Sequence, residues 1–332
     1  MNTERVERIA NAVLYEGYML YPYRPTAVKN RQRFNFGVIY PQACMSAHRS
    51  DGSDGERCFL QTECLVRGSG NTTVTARIRF LHLVDRVTER EDRTVTWQEA
   101  VERDIVLEPT SLDDLAARSV RHRFTYPVSV EAEPLREDGQ VIGTVVRRQR
   151  ELDGEVATTA ERCAGDIYRM RVMLTNRTDI DDVSARTRDG ALLHAFVSAH
   201  VILTVSDGEF ISLLDPPEDL ADLAEDCENL GVWPVLAGEE PARDVLLSSP
   251  IILYDYPELA PESAGDLFDG TEVDELLSLR IMTLTDEEKD EMRLADEHAR
   301  HILERTESLT AEQLMGMHGT LRRPRTFPGE DA

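Results

Sequence analysis

The sequence predicts an α+β protein, in which a mostly antiparallel, β-sandwich-like domain precedes an acidic, helical C-terminal extension. Segments rich in Val, Ile and Thr recur between residues 73 and 214 and are separated by turns, a pattern typical of antiparallel sheets. Past Pro257 the apolar residues follow a helical period behind capping residues. The charge also divides the chain, because residues 201–332 carry 32 acidic and 9 basic residues whereas residues 1–200 carry 30 and 28.

Residues 1–14 are predicted to form an N-terminal helix, because Val6, Ile9 and Val13 repeat at helical spacing. Residues 15–256 are predicted to form the antiparallel β domain with inserted helices. One inserted helix is expected over Leu112–Val120. The segments with strand character are Thr73–Val84, Asp104–Glu108, Arg123–Glu133, Val141–Arg150, Glu155–Glu161, Ile167–Thr175, Leu192–Val205, Glu209–Leu214 and Val245–Tyr254.

The predicted turns fix how these segments connect. Asp153-Gly154 and Gly165-Asp166 each lie between two strand segments, as hairpin turns do. Asp207-Gly208 is expected to turn the chain in the same way. Glu218–Leu230 reads as an acidic helix that ends at Gly231.

Residues 257–321 are predicted to form the helical acidic extension, and residues 322–332 a frayed tail. Thr285 followed three residues later by Glu288 is a capping box, which predicts a helix running to about Arg305. Thr271 and Thr310 are expected to cap two further helices.

Composition restricts the classes of partner. The net charge of −25 argues against binding to nucleic acid or to an anionic membrane. No apolar run is long enough to span a bilayer, so no membrane insertion is expected. The N-terminus has no apolar stretch of the kind found in signal peptides, which predicts a cytoplasmic protein. Its five cysteines are then expected to be reduced thiols.

The best candidate binding segment follows the N-terminal helix, where four of the nine tyrosines precede a run of basic residues. Tyr and Arg are the residues that most often anchor protein–protein interfaces. An alternative reading is an edge segment whose rings cover the core while its arginines pair with the acidic extension. The candidate partner-binding residues are Tyr18, Tyr21, Tyr23, Arg24, Lys29, Asn30, Arg31 and Arg33.

Candidate catalytic and metal sites are weaker. Cys44, His48, Cys58 and Cys64 could meet at a metal, but their spacing matches no structural zinc pattern and favours core thiols. No P-loop, dinucleotide fingerprint or nucleophile elbow is present, so no cofactor, no metal and no catalytic residue are predicted.

His194 and His200 share parity on the predicted Leu192–Val205 strand. Two imidazoles on one face could bind a metal or act as acid and base, although the apolar neighbours favour buried histidines. A metal-dependent or acid–base enzyme built on these two residues is therefore the alternative to a binding protein.

Four segments, at residues 15–41, 210–217, 248–257 and 260–287, are distinctive as a set. They resemble the corresponding parts of a bacterial family, largely actinobacterial, encoded beside [NiFe]-hydrogenase structural and maturation genes. The resemblance implies a non-enzymatic accessory or chaperone-like role in hydrogenase maturation, with a hydrogenase subunit or maturation factor as the protein client. A permanent structural subunit of a hydrogenase complex is the second alternative. The family provides no catalytic residues to transfer. The segments that carry the resemblance are Tyr15–Pro41, Phe210–Pro217, Ser248–Pro257 and Ala260–Glu287.

Overall fold

The computed structural model describes residues 3–15, 36–46, 57–137, 139–180, 187–258, 281–295 and 297–310. Its strands are β1 Phe59–Arg90, β2 Thr94–Val106, β3 Thr110–Ser111, β4 Val120–Tyr126, β5 Ser129–Glu137, β6 Gln140–Gln149, β7 Leu152–Ala164, β8 Ile167–Asn176, β9 Val197–Ile211, β10 Trp233–Ala237 and β11 Val245–Ser249. Its α-helices are α1 Thr3–Tyr15, α2 Leu112–Ala117, α3 Arg188–Leu192, α4 Ala221–Glu225, α5 Asp286–Ala295 and α6 Glu297–Ser308, and short 3-10 helices cover Gln42–Ser46 and Glu218–Leu220.

All eleven strands belong to one antiparallel hydrogen-bonded network, which confirms the predicted fold class. The order along the main path is β10-β11-β9-β1-β8-β7-β4, with β2, β3 and β6 also pairing with β1 and β5 pairing with β6. The 32-residue β1 is the shared strand. Its start pairs with β8, its middle with β9 and β2, and its end with β2 and β6.

The pairing of β1 with β9 is irregular where their register shifts between Gly68 and Thr73. The Thr72 hydroxyl donates to the Asp207 carbonyl at 2.8 Å and accepts from the Ser69 amide at 2.9 Å. Asp207 has a φ of 61°, in the left-handed region that Asp tolerates better than most residues. The predicted turn at Asp207-Gly208 is therefore wrong, because the chain bends there without leaving β9.

The main core is formed by side chains of β1, β7, β8 and β9, with residues of β4 packed against them. Alternate residues of β1 point into it, since successive side chains of a strand face opposite sides. The Phe80 ring lies 6.0 Å from that of Phe124 on β4 and 4.7 Å from that of Phe196. Phe80 of β1 and Phe124 of β4 thus meet across the core although their strands do not pair with each other. Contacts of this kind give the sheet its sandwich-like character.

The opposite face of the sheet is covered by α1, as its apolar period predicts. Val6, Ile9 and Val13 are buried against Ile202 of β9 and Leu247 of β11. The predicted N-terminal helix is thus confirmed as an element that packs on the domain.

Several boundaries differ from the predictions. The hairpin at Gly165 is confirmed, with a φ of +54° at that glycine. The turn expected at Asp153-Gly154 is wrong, because both residues lie inside β7, where a Cβ at Gly154 would overlap the Phe124 ring. β6 and β7 do not pair with each other, since β6 joins β1 and β5.

Other predicted elements are shorter or divided. The segment predicted as one strand over Arg123–Glu133 is two strands, β4 and β5, separated at Pro127. The helix predicted over Leu112–Val120 ends at Ala117. The acidic stretch after Pro217 forms only a 3-10 turn and the short α4, although Gly231 does adopt a positive φ.

In the C-terminal region the Thr285 capping box is confirmed. The Thr285 backbone amide donates to Glu288 Oε2 at 2.9 Å, and the Glu288 amide donates to the Thr285 hydroxyl at 3.3 Å. The helix expected to run to about Arg305 is instead two helices, α5 and α6, which pack Met292 and Leu303 against Trp97 of β2. The predicted caps at Thr271 and Thr310 concern helices that lie outside the described residues.

In the part of the chain that the structure describes, no helix has the length and apolar character needed to cross a membrane.

Candidate protein-binding surfaces

The predicted tyrosine and arginine segment cannot be placed on the fold. The residues Tyr18, Tyr21, Tyr23, Arg24, Lys29, Asn30, Arg31 and Arg33 all lie outside the described residues. Its two flanks are anchored to the domain, since the Tyr15 hydroxyl donates to Glu102 Oε1 at 2.8 Å and the Gly37 carbonyl accepts from the Ala199 amide at 2.9 Å. The pairing of its arginines with the acidic extension stays a prediction.

The expectation that His194 and His200 share a face is wrong. Only His200 lies on β9, because the chain forms α3 and a turn before the strand begins at Val197. A bulge with a φ of 52° at Ser198 further changes the alternation of side chains. His194 lies near His82, and His200 pairs across the strands with Arg79.

His200 and His82 are both buried, and in both residues the neutral form of the imidazole is favoured. His200 is fully buried, and its Nδ1 donates to the Ser198 carbonyl at 3.0 Å. Burial lowers the pKa of His200 to about 4, and burial together with the Arg103 charge lowers the pKa of His82 to about 3. His82 and His200 are therefore groups of the core. The enzyme alternative needs His194 and His200 on one strand face, and His194 lies before β9 begins.

Cys44 and Cys64 lie in two different hydrophobic clusters. Cys44 packs beside Leu81 and Leu83 of β1, whereas Cys64 points into the main core. Burial raises the pKa of the Cys64 thiol far above its usual range, so it stays protonated. His48 lies outside the described residues, and among those described no three His, Cys, Asp or Glu side chains are grouped to hold a metal ion.

A buried carboxylate surrounded by arginines lies on the outer face of β4 and β7. Glu155 is only 3% exposed, yet it accepts from Arg121 Nη1 at 2.9 Å, Arg123 Nε at 3.0 Å and Arg177 Nη2 at 2.9 Å. Hydrogen bonds from Arg177 and Arg123 hold the pKa of the Glu155 carboxyl below its usual range. We call these four residues the Glu155 cluster.

The Glu155 cluster presents unneutralised positive charge to solvent. Three guanidinium groups share a single carboxylate, so two positive charges remain at this point. All three arginines are exposed, and the side chain of Arg123 is 74% exposed. A fixed group of guanidiniums is suited to carboxylate recognition, because the planar fork matches the two carboxylate oxygens.

A pocket of about 140 Å³ opens beside β4 on the opposite face of the same strand. Its walls include Val120, Leu115 and Met170, and His122 of β4 also lines the pocket. Thr158 also lines this pocket, and the residue is only 4% exposed. Its buried hydroxyl has no hydrogen-bond partner. The pocket therefore offers apolar contacts together with polar ones, since Glu108, Arg121 and His122 line it as well.

The third surface is a four-stranded arm made of residues 84–90 of β1, residues 94–99 of β2, β5 and β6. We call it the β-arm. Its two faces differ sharply. On one face, Trp97 and Val145 are buried, and Arg86 donates to the Leu294 carbonyl of α5.

The other face of the β-arm is open. Val87, Val146 and Ala132 lie in one row across β1, β6 and β5, because paired residues of neighbouring strands point to the same side. Val87 and Val146 are half-buried, Ala132 is exposed, and Val130 in the adjacent row is 65% exposed. At one border of this face, Gln98 Nε2 of β2 donates to the Asp189 carbonyl of α3 at 2.8 Å.

Sequence reasoning missed all three surfaces. The alternation of Arg121 and Arg123 on one strand face was a usable pattern, but Glu155 and Arg177 join it only through strand pairing. The open face of the β-arm was hidden because β5 and β6 were not recognised as a projecting hairpin.

Comparison with known protein families, with curated proteins and with solved structures found no match for this chain.

Proposed function

We propose that this protein is a non-enzymatic, chaperone-like accessory factor that binds a hydrogenase subunit or maturation factor in the cytoplasm during [NiFe]-hydrogenase assembly. The hydrogenase link rests on the sequence resemblance of residues 15–41, 210–217, 248–257 and 260–287. The binding role rests on one structural observation, the row of Val87, Val146 and Ala132 on the open face of the β-arm, which is bordered by the charged residues Asp85 and Arg148.

The apolar row on the β-arm supports client binding through its position. Val87 and Val146 contribute partly exposed area in the middle of the sheet, and Ala132 and Val130 extend that area to the edge strand β5. Burial of such area against a partner releases about 25 cal/mol per Å² of apolar surface. The helices α5 and α6 pack on the opposite side of the same strands. Packing on one side limits the conformational freedom that the strands lose on binding, which lowers the entropic cost of association.

β5 adds a second means of contact. Within the described residues it pairs with β6 alone, and an edge strand of this kind can pair with a partner. Glu131, Glu133 and Pro134 on this strand would discourage unselective pairing with other strands, as charges and proline do at natural sheet edges. Selective use of this edge suits a factor that holds one client.

The first experiment compares two exposed valines in full-length protein. Val130→Asp places a charge on the open face of the β-arm, and Val106→Asp places the same charge at a similarly exposed valine on β2. Tagged protein is recovered from cells that make [NiFe]-hydrogenase, and hydrogenase subunits and maturation factors are quantified by mass spectrometry. We expect Val130→Asp to reduce their recovery and Val106→Asp to leave it unchanged. Equal recovery with both variants, or none with the wild type, would contradict the proposal.

The second experiment tests the arginine segment. Charge reversal of Arg24, Arg31 and Arg33 together should leave the melting temperature nearly unchanged, because exposed pairs contribute at most ~1 kcal/mol each. It should weaken client capture in a salt-dependent manner. If the reversal unfolds the protein, the segment is structural and has no recognition role.

A further inference from the structure

We propose that β4 is a second docking site, at which an extended segment of a partner protein with alternating acidic and apolar residues adds as a strand to the free edge of β4. This site is separate from the β-arm and does not depend on the proposed hydrogenase role. It is defined by the Glu155 cluster on one face of β4 and the pocket beside β4 on the other.

The edge of β4 is the first requirement. β4 ends the main path of the sheet and, among the strands that the structure describes, pairs with β7 alone. Its side chains at Arg121, His122, Arg123 and Thr125 are exposed. Unpaired backbone groups along an accessible strand can form the hydrogen bonds of an added strand.

The two faces of β4 determine the side chains of such a segment. Successive residues of an added strand alternate between the two faces. Residues on the outer face would meet Arg121 and Arg123, which favours Glu or Asp. Residues on the inner face would meet the pocket walls at Val120 and Leu115, which favours small apolar side chains.

The unpartnered Thr158 hydroxyl is an independent sign of an occupant. It lies almost fully buried at the pocket, where a polar group without a hydrogen bond is costly. A backbone or side-chain group of a bound segment can satisfy this hydroxyl. The pocket beside an open strand edge thus combines apolar contacts with one polar group still to be paired.

The charge pattern sets the register of the segment. Arg121 and Arg123 lie along β4 before Thr125, whose hydroxyl donates to the Asp153 carboxylate at 3.1 Å. Asp153 would repel an acidic side chain placed opposite Thr125. The acidic residues of the partner should therefore lie opposite the first half of β4.

A polypeptide fits this site better than a nucleic acid. The chain carries a net charge of −25, which would repel a long polyanion along most of its length. A short acidic segment responds mainly to local charge, because screening limits electrostatic reach to about 8 Å at physiological salt. The local charge at the Glu155 cluster is positive.

The test measures binding of a fluorescent peptide to full-length protein by anisotropy at about 50 mM salt. The probe is a peptide of about ten residues that alternates Glu and Val, long enough to span a typical strand. Matched peptides replace Glu with Lys, replace Val with Ser, or carry N-methyl groups on alternate amides. We expect the Glu-Val peptide to bind, each altered peptide to bind more weakly, and added salt to weaken binding.

The protein variants locate the site. Arg123→Glu should weaken binding of the Glu-Val peptide about tenfold, since it removes one attraction and adds one repulsion. Arg300→Glu, which changes an exposed arginine on α6, is the matched control and should bind as the wild type does. Circular dichroism confirms that both variants remain folded.

Several results would overturn the proposal. These are absence of binding by the Glu-Val peptide, equal effects of Arg123→Glu and Arg300→Glu, and undiminished binding of the N-methylated peptide. Tighter binding of a single-stranded DNA oligonucleotide than of the peptide would identify the cluster as a nucleic-acid site instead. The peptide comparisons use wild-type protein, so they decide the matter even if a variant fails to fold.

Discussion

The buried imidazole of His200 should make folding stability depend on pH. Below pH 6.5 the unfolded chain binds a proton at this residue, whereas the folded protein does so only near pH 4. Stability from this group is therefore complete above pH 6.5 and is lost as the pH falls towards 4. The gap between an ordinary pKa of 6.5 and one of about 4 corresponds to about 3 kcal/mol.

His200→Leu removes the titrating group and keeps an apolar side chain of similar size. The variant loses the hydrogen bond to the Ser198 carbonyl, so it should be less stable than the wild type at pH 7. On acidification from pH 7 to pH 4, the wild type should lose about 3 kcal/mol more than the variant. The charged neighbours Arg77, Arg79 and Asp104 are present in both proteins and largely cancel in the comparison.

The assay is urea unfolding followed by circular dichroism at several pH values, with the free energy of unfolding extrapolated to water. His122→Gln, at an exposed histidine of β4, is the control and should give a curve parallel to that of the wild type. Parallel curves for wild type and His200→Leu would refute the reasoning. So would an imidazole of His200 that titrates near 6.5 in the folded protein by NMR.

Three further predictions concern packing and charge. Glu155→Gln should lower the free energy of unfolding by about 2 kcal/mol at pH 7, as measured by urea unfolding. Because the pKa of the native Glu155 carboxyl is lowered, the difference between variant and wild type should shrink only when acid protonates that carboxyl. No loss at pH 7 would contradict this. Gly154→Ala should destabilise by about 1–3 kcal/mol in calorimetry, since its Cβ would overlap the Phe124 ring, and an unchanged melting temperature would show that the ring moves freely. Leu303→Ala should cost about 2–4 kcal/mol locally by weakening the contact with Trp97. Amide hydrogen exchange should then become faster in α5 and α6 but not in β1. Exchange rates in α5 and α6 equal to those of the wild type would argue against the contact.

Local patterns in the sequence were sufficient where one element decides its own structure. The helical spacing of Val6, Ile9 and Val13 predicted α1, and Thr285 with Glu288 predicted the start of α5. Gly165 predicted the β7–β8 hairpin, because a positive φ in a tight turn is a local requirement. Backbone preference and nearby hydrogen bonds determine all three features.

Local patterns failed where long-range packing determined the outcome. Asp153-Gly154 has the composition of a turn, yet Gly154 is inside a strand because the Phe124 ring occupies the space of a side chain. The parity of His194 and His200 suggested a shared face, but the bulge at Ser198 and the late start of β9 separated them.

The sequence by itself determined the α+β class, the capped helices and the acid-rich C-terminal part, because periodicity, capping and composition are properties of neighbouring residues. Only the tertiary structure decided which strands pair and what lies on each face. Glu155 meets Arg121, Arg123 and Arg177 because β4, β7 and the end of β8 are brought together in register. Charges far apart in the chain interact only when pairing fixes that register, and a single shift of one residue would turn the cluster to the other face.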